Sequence, residues 1–236
     1  EIVGLRDAAP SRACDLVVDQ LRDLIVTGQV EPGSRLPAER DLALRFQTSR
    51  ATISQALRIL AALGLVEIHH GSGVYVSPHP DRLLTHSLEL ILALDRPSMI
   101  RLCEVRGWLE IAAIARAAEI ATPDDIEVIR AELDRLASER RSVERWLEHD
   151  IEFHRAILRA TGNILALSMV SSVLELMASA RVREYREAGT APAWFRNEWE
   201  DVVAIHVRIT ESIAAHDVAS ARAAAEEHQQ RLAHFV

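Results

Sequence analysis

From residue 83 onward, apolar side chains recur at three- and four-residue spacing through seven successive stretches, from LLTHSLELILAL (83–94) to DVASARAAAEEHQQRLAHF (217–235), and no segment alternates. A period near 3.6 lines one face of a helix, whereas a strand needs a period of two. The breaks TP (122–123), TGN (161–163) and GTAP (189–192) separate the members of what the pattern predicts to be an all-α bundle over 83–236.

The first 76 residues read differently. SRACDLVVDQLRDLIVTGQ carries a helical stripe with Ser11 as its expected N-cap, EPGSRLP (31–37) is a turn-rich connector, and AERDLALRF is a short second helix. SRATISQALRILAALG is a third, opened by Ser49 as cap and closed by Gly64. LVEIHHGSGVYV (65–76) then alternates and turns at Gly71 and Gly73, which predicts a two-stranded hairpin. The fold class expected is mainly α: a winged helix-turn-helix over 1–76, a linker at 77–82 in SPHPDR, and the helical bundle.

Charge matters here because nucleic acid is a candidate partner. The net charge is -8, but residues 1–76 carry eight Arg against nine Asp and Glu, and residues 77–236 carry 19 against 26. Between 34 and 58 there are five Arg against Glu39 and Asp41, a local basic patch in an acidic chain; the basic residues are all arginine, which fits codon bias better than function. No apolar run reaches the ~18 residues of a membrane span, so no membrane partner is expected. Cys14 and Cys103 are far apart with no signal-peptide pattern before them; the expected compartment is a reducing cytoplasm.

A winged helix-turn-helix inserts the start of its third helix into the major groove while the wing follows the backbone. Ser49, Arg50 and Thr52 stand at that start, where a hydroxyl bonds phosphate and an arginine takes two acceptors of guanine; Arg40, with His70 and Gly71 at the wing tip, is placed for flanking contacts. A three-helix unit with solvated arginines can equally be a protein-binding module.

VTGQVEPGSRLPAERDLALRFQTSRATISQALRILAALGLVEIHHGSGVYV (26–76) strongly resembles the GntR family of bacterial transcription regulators, in the order PG, rLP, ER, LA, SR, AL, G, GxG, V. The resemblance implies DNA contacts from Arg40, Ser49, Arg50 and Thr52 and wing-tip contacts from His70 and Gly71. Two departures leave base preference open: Ser54 stands where many members have arginine, and Gln47 where glycine is usual.

EHDIEFHRAIL (148–158) puts Asp150 and His154 four apart, about 40° apart on a helix face and roughly 6 Å along it. Alone, that spacing fits an enzyme site, a metal site or the polar edge of a core. Residues 83–236 resemble the FCD-type ligand-binding domain of the FadR subgroup, whose polar set is an Asp and a His four apart and two further His. Carried over, this makes Asp150, His154, His206 and His228 the ligands of a divalent ion such as Zn2+, Ni2+ or Mn2+. The same resemblance makes Arg106 a partner for the carboxylate of a small organic acid, the alternative being a surface salt bridge to Glu110 at i+4. His86, His149, His216 and His234 are read as ordinary polar histidines.

The function implied is a metabolite-responsive regulator, a repressor, reading double-stranded palindromic operator DNA as a homodimer. The alternatives are a metal-dependent hydrolase or lyase with an appended winged helix and a protein adaptor. Against the enzyme stands the absence of HExxH, of a Gly-x-Ser-x-Gly nucleophile motif, and of an evident glutamate base beside the ligands.

Overall fold

The structure, a computed structural model, describes residues 12–78, 82–95 and 99–234. Ser11, residues 79–81 of the expected linker and the His234 side chain lie outside the described residues. The chain divides into two compact units, Glu1–Leu83 and Leu84–Val236.

In the first unit, α1 (Arg12–Val26), α2 (Glu39–Arg45) and α3 (Arg50–Ala62) precede β1 (Val66–His69) and β2 (Gly73–Val76). α3 buries Ile53, Ala56, Leu57 and Leu60, an i, i+3, i+4, i+7 stripe, against Val17, Val18 and Leu21 of α1. Each large aliphatic side chain taken fully from water contributes about 1.5–3 kcal/mol. The hairpin pairs Val66 with Val76 through to His69 with Gly73. Both valines are buried and close the core.

One segment departs from expectation. The connector at 33–36 runs beside β2 through an isolated bridge: Leu36 N–H donates to Val74 O at 2.8 Å, Val76 N–H to Ser34 O at 2.8 Å, and Arg35 bridges Tyr75. Pro32 and Pro37 flank it and hide the pattern, since proline is confined to strand edges and ends.

The second unit holds α4 (Arg82–Asp95), α5 (Met99–Ile120), α6 (Pro123–Ser138), α7 (Val143–Ala160), α8 (Ile164–Ala188), α9 (Ala193–Asn197), α10 (Trp199–Ala214) and α11 (Val218–His234). The short α9 follows the GTAP break and has no counterpart among the helices expected from the sequence. Its helix starts are locally encoded. Thr122 and Asp125 form a reciprocal capping box with Pro123 in the first turn, Ser142 caps α7, and Asn163 caps α8. α5 sits at the centre, packed by α7, α8, α10 and α11, and buries small residues on several sides: Gly107, Ala113, Ala115, Ala117 and Ala118. Small side chains let those neighbours approach the α5 backbone.

α8 is long and apolar enough by composition to cross a bilayer, which the run-length reading of the sequence missed. In the structure its Val170, Val173, Leu174 and Met177 pack into the bundle instead.

Candidate metal centre and candidate DNA-reading surface

The buried stripe of α7 runs Trp146, Leu147, Asp150, Phe153, His154, Ile157, so a carboxylate and an imidazole occupy positions that otherwise belong to the core. α10 supplies His206 and α11 His228. All four are buried, His206 completely, and one donor atom from each lies within 4.8 Å of every other. Donors on one ion with bonds near 2.1 Å stand about 3–4 Å apart, so the four donors are already close to the spread of one ligand set.

Second contacts hold the donors in place. His206 Nδ1 lies 2.7 Å from the Val202 carbonyl, which can only accept, so Nδ1 carries a proton and Nε2 points at Asp150 Oδ1, 3.0 Å away. Thr210 Oγ1 donates to the His206 carbonyl, and Phe153 packs edge-on against both His206 and His154. Burial pushes the Asp150 carboxyl up, but the adjacent His154 imidazole, the hydrogen bond from His206 and the nearby positive charge of Arg106 outweigh it and hold it well below its ordinary value. Burial, then repulsion from His206, His154 and Arg106, holds His228 well below the usual imidazole range. A carboxylate and a neutral imidazole are the forms that ligate metal.

Arg106 is at this cluster, and the salt bridge to Glu110 weighed as its alternative forms too, though not at the surface: Arg106 and Glu110 are both buried, with Nε donating to Glu110 Oε2 at 2.7 Å. Arg106 Nη2 also donates to His154 Nε2 at 2.9 Å and lies 3.8 Å from Asp150 Oδ2. His154 Nδ1 stands 2.9 Å from Glu110 Oε1, within ion-pair range though off the line of a hydrogen bond. Arg106 thus covers the Nε2 lone pair of His154, and a cation ligated there has to displace it.

A glutamate, Glu110, does stand beside the ligands, but not in the role of a base. Against the rise that burial causes, Arg106 and His154 hold Glu110 below its ordinary value, so it is an anion committed to the Arg106 guanidinium and facing His154 Nδ1, not a poised base. The signal in the sequence was its i+4 spacing from Arg106.

Arg181 of α8 was not foreseen. Its Nη2 is buried without a hydrogen-bond partner, and burial followed by the charge of Arg106 pushes its guanidinium below the ordinary value. It lines a niche of about 10 Å³ together with Arg106 and Asp150. On its other side is a cleft of about 940 Å³ between the end of α8, the 189–192 turn, α9 and the start of α10.

In the first unit, Ser49 Oγ caps α3 by accepting from Thr52 N–H at 3.1 Å and lies 2.8 Å from Thr52 Oγ1. Arg40 and Arg50 are exposed, and among the described residues neither forms an ion pair. His70 and Gly71 form the exposed tip of the hairpin, where Gly71 has φ +78°. Sequence reading missed Arg35, whose guanidinium lies against the wing: a Cβ on Gly73 would come within 2.8 Å of its Nε. Gln47, at the position where glycine was expected, has φ +49°.

Of the histidines set aside, His86 is exposed beside Glu89, and His216 is exposed with Nδ1 2.9 Å from the Ala118 carbonyl.

Comparison with known proteins gives matches to both units. Residues 15–76 match the bacterial regulatory proteins of the gntR family, and residues 101–231 match the FCD domain. The chain is 31% identical to the HTH-type transcriptional regulator LutR of Bacillus subtilis (strain 168) over 87% of its length and 92% of that protein's. It is 35% identical to the galactonate operon transcriptional repressor of Escherichia coli (strain K12), over 68% of this chain and 73% of that one. Among solved structures, Streptococcus agalactiae GntR shares the fold at a TM-score of 0.74 and 24% identity, covering 94% of this chain and all of that one.

Proposed function

Because the chain belongs to the GntR family of bacterial regulatory proteins and carries an FCD domain, we propose that it is a metal-containing, metabolite-responsive repressor that reads palindromic operator DNA as a homodimer in the cytoplasm. Its named relatives are transcription regulators, which removes the hydrolase or lyase alternative. The winged unit, 1–76, reads DNA: Arg50 and Thr52 enter the groove behind the Ser49 cap, Arg40 holds the backbone, and His70 and Gly71 follow it. A single head makes too few contacts for useful specificity, and a two-fold dimer supplies a second half-site.

The observation that carries the sensor half is the convergence of Asp150, His154, His206 and His228 in a buried space. His206 Nε2 and Asp150 Oδ1 stand 3.0 Å apart, a contact that is favourable with either a second imidazole proton or a cation between them. A divalent ion held there would tie α7, α10 and α11 together and keep open positions for a carboxylate oxygen. The effector is a small organic acid, with Arg106 on the same side of the cluster. A relative's name refers to galactonate, which is such an acid.

The test is elemental analysis of tag-free protein after titration with zinc, nickel and manganese, combined with selection of duplexes from a random pool and sedimentation. One ion per chain, enrichment of a palindrome and a dimer support the reading. No bound ion makes the cluster a polar pocket, and a monomer with and without selected DNA removes the two-headed reader.

A further inference from the structure

Arg106 is poorly suited to be the first anion receptor of this pocket. It is buried, its Nε is taken by Glu110, and Asp150 stands at 3.8 Å, so two carboxylates already offset its charge. Arg181 is the opposite case. Its Nη2 is buried with no partner, although a desolvated guanidinium N–H left unmade costs free energy. It is also the partition of the site, lining both the outer cleft and the water-sized niche that reaches Arg106 and Asp150. An anion arriving through the cleft meets Arg181 before it can reach the histidines.

We propose that Arg181 receives the carboxylate of a small hydroxylated organic acid that enters between α8, α9 and α10, and that Arg106 is a positioning residue that orients Glu110 and His154. The assignment rests on reading the helical unit as a metabolite sensor. Charge supports an anion: Arg106 and Arg181 balance Asp150 and Glu110, so a divalent ion in the cluster leaves the pocket cationic. The cleft also offers partners for hydroxyl groups: Glu184, Tyr185 and Thr190 line one part of it, facing an apolar side that includes Pro192 and Trp194.

The experiment uses the full chain, loaded with zinc and in parallel stripped by chelator, titrated calorimetrically with L-lactate, D-gluconate and succinate, and with D-gluconamide as the uncharged control. At least one hydroxylated anion binds the wild type and the amide does not. Arg181→Met weakens that binding at least tenfold with zinc stoichiometry unchanged, while Arg181→Lys, which keeps charge and length but not the fork, loses less. Ligand-free Arg181→Met melts no lower than wild type, because the change removes a guanidinium whose buried Nη2 has no partner; a merely structural arginine would lower the melting temperature. If Arg181→Met does not fold, Arg181→Lys decides, and at least a threefold loss is expected.

Wild-type affinity in the Arg181 variants, equal binding of the amide, or no hydroxylated anion bound by the wild type in either state overturns the inference. Zinc that binds while anion affinity ignores Arg181 rejects this inference and leaves the metal reading intact. Arg181-dependent anion binding without any zinc uptake does the reverse.

Discussion

His206 and Asp150 face each other at 3.0 Å in the bundle interior, joined from α10 and α7, while the far nitrogen of the same imidazole is tied to the Val202 carbonyl. The bundle has therefore brought a carboxylate and an imidazole nitrogen together across a gap that takes either a proton or a cation.

Removing the ion should be felt as lost stability. At a metal concentration about 100 times the dissociation constant, binding adds about 2.7 kcal/mol, or roughly 5–10 °C for a domain of this size. Chelator should lower the wild-type melting temperature by that order and add nothing to His206→Ala, with His149→Ala behaving as wild type. A chelator effect that persists in His206→Ala would place the ion elsewhere.

On DNA, Arg50→Ala should cost about 1–3 kcal/mol per lost bidentate contact and flatten sequence preference. Arg40→Ala should weaken all duplexes alike and reduce the salt slope by about one per contact, so about two for a dimer. Titrations of selected and scrambled duplexes at several salt concentrations separate the two; undiminished selectivity in Arg50→Ala would misplace the recognition helix.

Gln47 holds φ +49°, a left-handed conformation that costs a residue with a Cβ roughly 1–2 kcal/mol. Glycine gains back about 0.4–1 kcal/mol of unfolded-state entropy, so Gln47→Gly should stabilise the first unit by about 0.5–1 kcal/mol. Urea denaturation reads the shift, and a destabilised variant would mean that the Gln47 side chain contributes more than its backbone costs.

Gly107 is where α11 comes closest to α5: a Cβ there would stand 2.5 Å from Cγ and Cδ of Gln229, whose Nε2 donates to the Cys103 carbonyl. Gly107→Ala should cost about 1–3 kcal/mol by overpacking and loss of that bond. Gln229→Ala should relieve much of the loss in the double variant, and strict additivity in the denaturation cycle would contradict the contact.

Glu139 accepts backbone N–H groups from Arg141 at 2.8 Å and Ser142 at 3.0 Å, which hold its carboxyl below the ordinary value. A carboxyl depressed in the folded state stabilises above its unfolded pKa, and that stability is lost as pH falls through the folded value. Acid titration of stability should therefore be shallower in Glu139→Gln over that range; an unchanged profile would mean the turn before α7 does not depend on the charge.

The sequence by itself determined which segments are helical, because a 3.6-residue apolar period and caps such as Ser49 and Ser142 act locally and leave a local trace. It also determined the hairpin and its glycine tip, and Asp150 and His154 were adjacent by spacing alone. His206 and His228 could be joined to them only through a resemblance, since 52 and 74 residues separate them from His154 and no local rule spans that distance. Tertiary packing alone decided the rest. It buried Arg106 and Glu110 where an i+4 pair looked like surface, bridged the connector at 33–36 to β2, and left Arg181 with a buried, unmatched donor. Burial and partner choice are set by which faces of distant helices meet, and a residue's own neighbours in the chain do not encode them.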